Sequence, residues 1–464
     1  MNELALTLAW VAQAAAGTLR SGDPERLVGQ VVTDSRSVTA GDLFIALRGP
    51  RFDGHAFVED VISRGAAGVV VEKGRTGALG PAGAIQVGDT LKALQSLAHA
   101  VRRAAATRVV AITGSAGKTT TKEAIAEMLA TRGRVVKNKG NLNNHIGLPL
   151  SLMQLRTRPD VAVMELGMNH AGEISTLVAI AEPDVRVWTN VGDAHLGFFA
   201  SPDAIADAKA EILERATPDT VLVCNADDPR VMSRASGFSG RTLTFGTAES
   251  ATVRAQHIED RGVAGMRAQV TTPVGARTID TPLLGRGNLA NVLAATAVAV
   301  DHGVPLDEIA AVASRLRPAD RRGAVKRLRD GVTLIDDSYN SSPSALRRAL
   351  EVLTEEKDAA RKVAVLGEML ELGDHAQTLH EASGRAAAAA GVQLLFAIGG
   401  APARALAAAA VAAGIPAASV HYFEKSDAAA AAVADTIHPG DLVLVKGSRG
   451  TRTDIVADRI AERG

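Results

Sequence analysis

The sequence predicts an α/β protein of three domains, and two features of the chain lead to that prediction. Short continuous apolar runs alternate with Ala-rich stretches through most of the chain. Such runs are typical of strands buried on both faces of a parallel sheet, and the Ala-rich stretches are typical of helices. The chain of 464 residues is also long enough for several domains. Together they predict a doubly wound α/β architecture.

Each predicted strand is a continuous apolar run. The clearest are residues 109–112, 161–164, 221–224, 363–366, 394–398 and 442–445. Helices are predicted at 122–129 and 205–213, and at the alanine runs 386–390 and 405–413. Alanine is the strongest helix former, so these runs are interpreted as ordinary helices rather than as disorder.

The apolar stretch at residues 4–16 ends in small residues, as a signal peptide does. A signal peptide also needs a positively charged start. The residue before this stretch is the acidic Glu3, no Lys or Arg precedes it, and the polar Gln13 interrupts it. We therefore expect an amphipathic first helix. No apolar run reaches the roughly 18 residues of a membrane span, so no span is expected.

Changes of composition divide the chain into three predicted domains. Residues 1–85 carry short strands and turns and predict a small N-terminal α/β domain. Residues 86–315 predict a central domain with a parallel sheet, in which the alternating Val and Thr of 240–285 form a β-rich insertion. Residues 316–464 alternate strand and helix again and predict a C-terminal Rossmann-like α/β domain.

Charge and cysteine content exclude some classes of function. Lys+Arg and Asp+Glu both number 51, so the formal net charge is zero. Nucleic-acid-binding proteins usually carry an excess of basic residues, and we expect no nucleic-acid partner. Cys224 is the one cysteine of the sequence and cannot form an intrachain disulfide. A reducing compartment, the cytoplasm, is therefore expected.

The strongest local motif is a glycine-containing loop between a predicted strand and a predicted helix. It reads Thr-Gly-x-x-Gly-Lys-Thr, and its candidate nucleotide-binding residues are Gly114, Ser115, Ala116, Gly117, Lys118, Thr119 and Thr120. Glycines let backbone N–H groups turn toward phosphate oxygens, and the helix N-terminus adds its positive end. Lys118 is expected to reach the β- and γ-phosphates and Thr119 to hold Mg²⁺. Ile112 stands where the longer motif has a glycine, which leaves a plain strand–turn–helix junction as the alternative.

Further candidates follow two other predicted strands. Glu165 ends one strand, where the carboxyl edge of an open sheet faces the ligand, and a carboxylate there suits Mg²⁺. The alternative is a solvated loop carboxylate. Asp193 and His195 follow a second strand, and a lone histidine is usually structural. Lys209, on a predicted helix, looks in isolation like a surface lysine.

Together these motifs resemble the Mur ligases over nearly the whole chain. Residues 33–47, with Gly49 and the pattern at 51–55, are similar to the uridine-binding domain of that family. The resemblance makes the following residues candidates for binding the UDP end of a substrate: Ser35, Arg36, Asp53, Gly54 and His55. Without it, Asp-Ser-Arg at 34–36 is only a polar turn.

The central segment resembles the family at several motifs. Residues 140–149 are similar to an asparagine-rich segment, which makes Asn143 and Asn144 substrate-binding candidates, although alone this stretch is a turn-rich connector. By resemblance Glu165 and His195 hold Mg²⁺. Lys209 matches a lysine that is carbamylated in many members, and the carbamate would be a further metal ligand.

Two more motifs contain candidate nucleotide-binding residues. Residues 285–295 match Gly-x-x-Asn-x-x-Asn-x-x-Ala-Ala, which places Asn288 and Asn291 near the adenine; Gly287 stands where the family usually has histidine. Arg322 resembles an arginine that meets ATP phosphate, and with Lys118, Glu165, His195 and Lys209 it completes the expected catalytic set.

The C-terminal segment distinguishes members of the family. Residues 337–340 read Asp-Ser-Tyr-Asn, where the ligases that add the third residue usually have Asp-Tyr-Ala-His. By resemblance Asp337 meets the ATP ribose, Asn340 contacts nucleotide or substrate, and Lys446 and Arg449 lie near the substrate cleft. The alternative for Lys446 is a surface charge at a strand end.

The resemblance implies an ATP- and Mg²⁺-dependent ligase acting through an acyl phosphate. Its implied substrates are UDP-MurNAc-tripeptide and D-alanyl-D-alanine, and a monomer is expected. Alternatives are a ligase of the same superfamily that adds the third residue, one of the folylpolyglutamate type, or a P-loop ATPase acting as a switch or motor. The last would need a partner or membrane surface, and the sequence indicates neither.

Overall fold

The computed structural model describes residues 3–50, 52–75, 82–193 and 196–463. The helices of this part of the chain are α1 Leu8–Ala14, α2 Val58–Ser63, α3 Thr90–Ala105, α4 Lys118–Leu129, α5 Gly147–Leu152, α6 Glu173–Ala181, α7 Pro202–Ala210, α8 Pro229–Ala235, α9 Gly285–Asp301, α10 Leu306–Ala313, α11 Pro343–Glu355, α12 Ala376–Ala389, α13 Ala401–Ala412, α14 Ser426–Thr436 and α15 Asp454–Ala461. None of these described helices is long and apolar enough to cross a membrane.

The strands are β1 Thr18–Ser21, β2 Val31–Val32, β3 Leu43–Ile45, β4 Gly68–Glu72, β5 Gly83–Val87, β6 Arg108–Thr113, β7 Val135–Lys137, β8 Val161–Glu165, β9 Val185–Trp188, β10 Val221–Asn225, β11 Arg241–Gly246, β12 Val253–Asp260, β13 Met266–Thr272, β14 Gly275–Thr281, β15 Ala324–Arg327, β16 Thr333–Asp337, β17 Arg361–Gly367, β18 Leu394–Ile398, β19 Val420–Phe423 and β20 Asp441–Lys446. Each strand predicted from an apolar run is present, so those predictions are confirmed.

The strands form three sheets, and together with the helices they confirm the predicted three-domain α/β class. The first sheet has the order β1-β5-β4-β3-β2, the second β14-β13-β12-β11-β10-β9-β6-β8-β7, and the third β15-β16-β20-β17-β18-β19. In the second sheet β10, β11 and β12 pair in parallel, whereas β12, β13 and β14 pair antiparallel. Strands β11 to β14 lie within residues 240–285, the predicted β-rich insertion. The domain boundaries given above remain a prediction.

By the packing of its backbone the chain separates into two compact units. One comprises residues 1–112, 132–186 and 211–220, and the other comprises 113–131, 187–210 and 221–464. The first unit contains the five-stranded sheet and the parallel strands β6, β8 and β7. The second contains β10 to β14, α9 and the six-stranded sheet.

The third sheet shows why its strands are continuously apolar. Ala364 and Leu366 of β17 pack into one buried cluster, and Val363 and Val365 pack into another. Successive side chains of a strand point to opposite faces, so both faces of this sheet are covered and neither tolerates polar residues. The parallel order β20-β17-β18-β19 is that of a Rossmann-like domain, as predicted.

Gly384 of α12 provides a test of the packing between α12 and α13. Alanine at this position would place a Cβ against the carbonyl oxygen of Leu406 and 3.0 Å from the amide nitrogen of Ala410. Alanine normally improves a helix interior by about 1 kcal/mol, but here it forces two backbones apart. We expect Gly384→Ala to lower the free energy of unfolding by about 1–3 kcal/mol in a urea titration. Gly237→Ala, whose Cβ would meet nothing within 4 Å, is the control. Equal stability of both variants would contradict the packing.

Candidate functional site

The phosphate loop follows β6 and runs into α4. Gly114 has φ +150° and Gly117, the N-cap of α4, has φ +83°, backbone conformations that residues with a side chain rarely adopt. A Cβ on Gly114 would collide with the Thr189 hydroxyl, and one on Gly117 would collide with the Asn291 amide. Both glycines of the motif are therefore required by backbone conformation and by space.

Lys118 and Thr119 occupy the first turn of α4, where backbone N–H groups have no partner within the helix. The Lys118 ammonium donates to the carbonyl oxygen of Gly114 at 2.8 Å, so its side chain folds back over the loop. Thr119 is buried. A cation, a hydroxyl and a helix N-terminus meet here, and this combination suits phosphate and its metal ion.

Thr189 and Asn190, which follow β9, shape the loop, and neither was among the candidates predicted from the sequence. The Asn190 side chain accepts from the Ala116 N–H at 2.9 Å and donates to the Ala116 carbonyl at 3.0 Å. The Thr189 hydroxyl donates to the same carbonyl at 2.8 Å. The Gly192 N–H donates to the Ser115 hydroxyl at 2.8 Å. A polar pair after a buried strand is common in sequences, so this pattern does not identify Thr189 and Asn190 as functional residues.

Asn288 and Asn291 lie one turn apart near the start of α9, as the motif predicted. Asn288 donates to the carbonyl oxygen of Leu284 at 2.9 Å, and Asn291 donates to the Asn288 side-chain oxygen at 3.1 Å. Asn291 is buried beside Gly117. The pair is thus brought to the phosphate loop, and Gly287 leaves room for the aliphatic part of Arg348.

Lys209 lies in the last turn of α7 and is 2% exposed, so its interpretation as a surface lysine is wrong. Burial lowers the pKa of its ammonium well below 10.5, and the positive charge of Lys118 lowers it further. Burial and the neighbouring charge both shift the equilibrium of Lys209 toward the neutral amine.

Glu165 belongs to the other unit, at the end of β8. It is 4% exposed, which excludes a solvated loop carboxylate. Asn143 donates to its carboxylate at 2.8 Å, and Asn138 bonds its backbone N–H and C=O at 3.0 and 3.1 Å. The asparagine-rich segment therefore orients Glu165. Asn144 is instead exposed and accepts from the N–H of Gly147, where α5 begins, at 2.9 Å.

His195, a predicted catalytic residue and metal ligand, lies outside the described residues, as does Arg51. Across the described ranges, no group of three or more His, Cys, Asp or Glu side chains is arranged to hold a metal ion. The donors that the structure does describe are the Thr119 hydroxyl and the Glu165 carboxylate. Both are oxygen donors, the type that Mg²⁺ prefers.

The C-terminal candidates meet where β16 and β20 end side by side. Asp337 and Lys446 are register partners, and the Lys446 ammonium lies 2.6 Å from the Asp337 carboxylate. Burial raises the pKa of Asp337, against the opposite effects of Lys446 and Arg322. Lys446 also donates to the carbonyl oxygen of Asn340 at 3.0 Å. Because Lys446 is 3% exposed, its interpretation as a surface charge is wrong.

Arg322 and Arg449, the other two C-terminal candidates, lie on one aromatic ring. The guanidinium carbon of Arg322 is 4.2 Å from the centroid of the Tyr339 ring, and that of Arg449 is 5.7 Å from it. Lys446, Arg322 and Arg449 bring three positive charges to this cluster, which also contains Asp337 and its neighbour Asp336, paired with Lys326. The cluster is therefore suited to a ligand with several negative charges.

The N-terminal candidates form two short turns. In the first, Arg36 is 88% exposed and forms a bidentate pair with Asp34, whose pKa this hydrogen bond lowers to about 2. Ser35 begins the 3-10 helix that Asp34 caps. This turn therefore presents an exposed guanidinium with a fixed orientation.

In the second turn, Asp53 accepts from the ring nitrogen Nδ1 of His55 at 2.6 Å, and this bond lowers the pKa of the carboxyl. His55 Nε2 accepts from the N–H of Glu72 at 3.0 Å, which ties the turn to β4. A Cβ on Gly54 would lie 2.8 Å from the carbonyl oxygen of Leu47, so glycine is required. His55 and Gly54 thus have structural roles that the motif alone did not reveal.

Three family models match the chain. The model described as Mur ligase family, catalytic domain, matches residues 28–102; Mur ligase middle domain matches 112–299; and Mur ligase, glutamate ligase domain, matches 321–449. The matches together cover most of the chain.

Relatives are similar from end to end. The UDP-N-acetylmuramoyl-tripeptide–D-alanyl-D-alanine ligase of Bacillus subtilis is 35% identical over 97% of both chains. The crystal structure of MurF from Acinetobacter baumannii is 32% identical, covers 100% of both chains and superposes with a TM-score of 0.89. MurF from Thermotoga maritima, solved in complex with ADP, is 28% identical over 94% of this chain and 97% of its own, with a TM-score of 0.82. This chain belongs to the Mur ligase family.

Proposed function

We propose that this protein joins D-alanyl-D-alanine to UDP-MurNAc-tripeptide in an ATP-dependent reaction, which gives the UDP-MurNAc-pentapeptide, ADP and phosphate. The observation that carries the proposal is its similarity, over almost its full length, to ligases that bear this name. The Asp-Ser-Tyr-Asn segment at 337–340, whose residues converge on Arg322, Lys446 and Arg449, supports it.

The proposed reaction has two steps because a carboxylate is a poor electrophile. In the first, an oxygen of the tripeptide carboxylate attacks the γ-phosphorus of ATP, and the bond from that phosphorus to the ADP oxygen breaks. In the second, the D-alanyl-D-alanine amine attacks the acyl carbon. The C–N bond forms, the bond from that carbon to the phosphate oxygen breaks, and the amine nitrogen loses a proton to solvent. No side-chain nucleophile is required.

Positioning and charge neutralisation are the tasks left to the protein. Lys118 and the N–H groups at the start of α4 would hold the β- and γ-phosphates, and Arg322 would neutralise charge on the transferred group. Asn288, Asn291, Asp337 and Asn340 would hold the nucleoside. The UDP end would bind Ser35, Arg36, Asp53, Gly54 and His55, and Asn143, Asn144, Lys446 and Arg449 would face the rest of the substrates.

Mg²⁺, when bound, would supply positive charge to phosphate oxygens. Thr119, Glu165 and His195 are its proposed ligands, together with a carbamate on Lys209. The amine of Lys209 is suited to this modification, because only a neutral amine combines with CO₂ and its pKa is lowered. The carbamate would replace a buried cation near Lys118 with an anion. We also propose that the enzyme acts as a monomer in the cytoplasm.

Phosphate release from ATP tests the function. We expect release to require both UDP-MurNAc-tripeptide and D-alanyl-D-alanine, and a UDP-linked pentapeptide to appear in the mass spectrum. Release that is indifferent to D-alanyl-D-alanine would refute the substrate assignment. Hydrolysis that persists without either substrate would favour a P-loop ATPase.

Asn190 gives a test of the phosphate loop. Asn190→Ala removes two hydrogen bonds to Ala116, each worth about 1 kcal/mol, and lets the loop lose its curvature. We expect kcat/KM for ATP to fall roughly tenfold or more, with little change in KM for D-alanyl-D-alanine. Thr189→Ser, which keeps the hydroxyl on Ala116, is the control. An unchanged kcat/KM in a folded Asn190→Ala variant would show that this contact does not shape the site.

Lys209 gives a test of the carbamate. Enzyme stripped of CO₂ should lose most of its activity and regain it with bicarbonate, whereas Lys209→Ala should stay inactive in both. ¹³C-bicarbonate should add a carbamate signal to the NMR spectrum of the wild type only. Because protonation of the amine releases CO₂, the rescue should weaken as the pH falls toward the lowered pKa. Full activity without CO₂ would exclude the modification.

A further inference from the structure

We infer that Tyr339 is a positioning residue whose aromatic face orients Arg322, and secondarily Arg449, for the anionic groups of the ligation reaction. The inference rests on the proposed function, because it concerns how the phosphate-binding arginine is held. Its starting observation is that both guanidinium groups lie within 6 Å of one ring, at 4.2 and 5.7 Å. A cation over an aromatic face within about 6 Å is attracted by the negative face of the ring.

The backbone fixes this arrangement before any ligand binds. The N–H of Tyr339 donates to the carbonyl oxygen of Arg321 at 3.1 Å, and the N–H of Gly323 donates to the carbonyl oxygen of Asp336 at 2.9 Å. These two bonds hold the segment that carries Arg322 against the segment that carries Tyr339. Arg321 has φ +55° and Gly323 has φ +75°, so Arg322 sits in a sharp turn between two residues in unusual conformations.

The carboxylates of this region are bonded to groups other than the Arg322 guanidinium. The carboxylate of Asp337 is bonded to Lys446 at 2.6 Å, and that of Asp336 accepts from Ser338 at 2.6 Å and Lys326 at 3.3 Å. Arg321 is paired with Asp458 at 3.0 Å. Among the described residues no carboxylate forms an ion pair with Arg322 within 4 Å; Asp337 acts on it at longer range, and the Tyr339 ring is its close partner. An aromatic ring orients a guanidinium while leaving its positive charge available to phosphate.

The contacts of Tyr339 distinguish the role of its ring from the role of its hydroxyl. In the described part of the chain the Tyr339 hydroxyl makes no hydrogen bond, so the ring face carries the interaction. Phenylalanine should therefore serve as well as tyrosine at this position, whereas leucine, which has similar apolar bulk but no π-system, should not.

Replacement of Tyr339 tests the inference. Tyr339→Phe should keep kcat/KM for ATP within about twofold of the wild type. Tyr339→Leu should lower it by about three- to thirtyfold, the range that corresponds to a cation–π contact. In an Arg322→Gln variant, Tyr339→Leu should lower kcat/KM for ATP further only by what its contact with Arg449 contributes. The reason is that Tyr339 and Arg322 act as one unit, so their effects are not additive.

Fluorination of the ring gives a second test, which does not require the protein to fold with leucine at position 339. Phenylalanine at position 339 that carries one, two and three ring fluorines keeps its shape but loses the negative ring face stepwise. We expect kcat/KM for ATP to fall with each fluorine. The control series is at Tyr422, the second tyrosine of the sequence, whose ring lies 4.8 Å from Arg404 and whose hydroxyl donates to the Gly399 carbonyl. Each fluorine there should leave activity unchanged relative to the unfluorinated Tyr422→Phe variant.

The outcomes distinguish the positioning role of Tyr339 from the proposed function of the enzyme. If the wild type joins D-alanyl-D-alanine to the UDP-tripeptide and fluorination at 339 has no effect, the positioning role is refuted while the proposed function stands. If the wild type does not ligate, the proposed function itself fails, and the role of Tyr339 in it fails with it. A fall in activity that is equal at 339 and 422 would indicate a general effect of fluorination and would also refute the inference.

Discussion

A surplus of positive charge, held close together by the fold, is the constraint on which the described site depends. The positive charge of Lys118 disfavours protonation of the buried Lys209, Lys446 is bonded to the Asp337 carboxylate, and Arg322 and Arg449 both lie on the ring of Tyr339. Bringing cations together costs free energy in a folded chain, and a ligand with several negative charges offsets that cost. A reaction that combines ATP with a carboxylate and passes through an acyl phosphate supplies such a ligand.

The protein orients these cations by contacts of different kinds. Lys118 donates to a backbone carbonyl, Lys446 shares its ammonium between a carboxylate and a carbonyl, and Arg322 lies on an aromatic ring. Carbonyls and ring faces orient a cation without neutralising it. The same reasoning accounts for the glycines of the phosphate loop, whose backbone curvature exposes N–H groups that carry no formal charge.

One short segment combines structural and chemical roles at adjacent positions. Asp336 is buried and bonded to Ser338 and Lys326, which anchors the end of β16. Asp337 meets Lys446, and Tyr339 supports the two arginines. Because successive residues of a strand point to opposite faces, a segment at a strand end can serve the core with one residue and the site with the next.

The sequence by itself determined the α/β class, the phosphate loop and most of the candidate residues. Continuous apolar runs require a sheet covered on both faces, and Gly-x-x-Gly-Lys-Thr between strand and helix carries a local geometry that needs no distant partner. Tertiary structure alone decided burial and long-range contacts. It buried Lys209, Lys446 and Glu165, brought Asn190 to Ala116 over a separation of 74 residues, and placed Arg322 and Arg449 on Tyr339. Single-residue patterns do not encode such contacts, because they depend on which strand ends the sheet order makes neighbours.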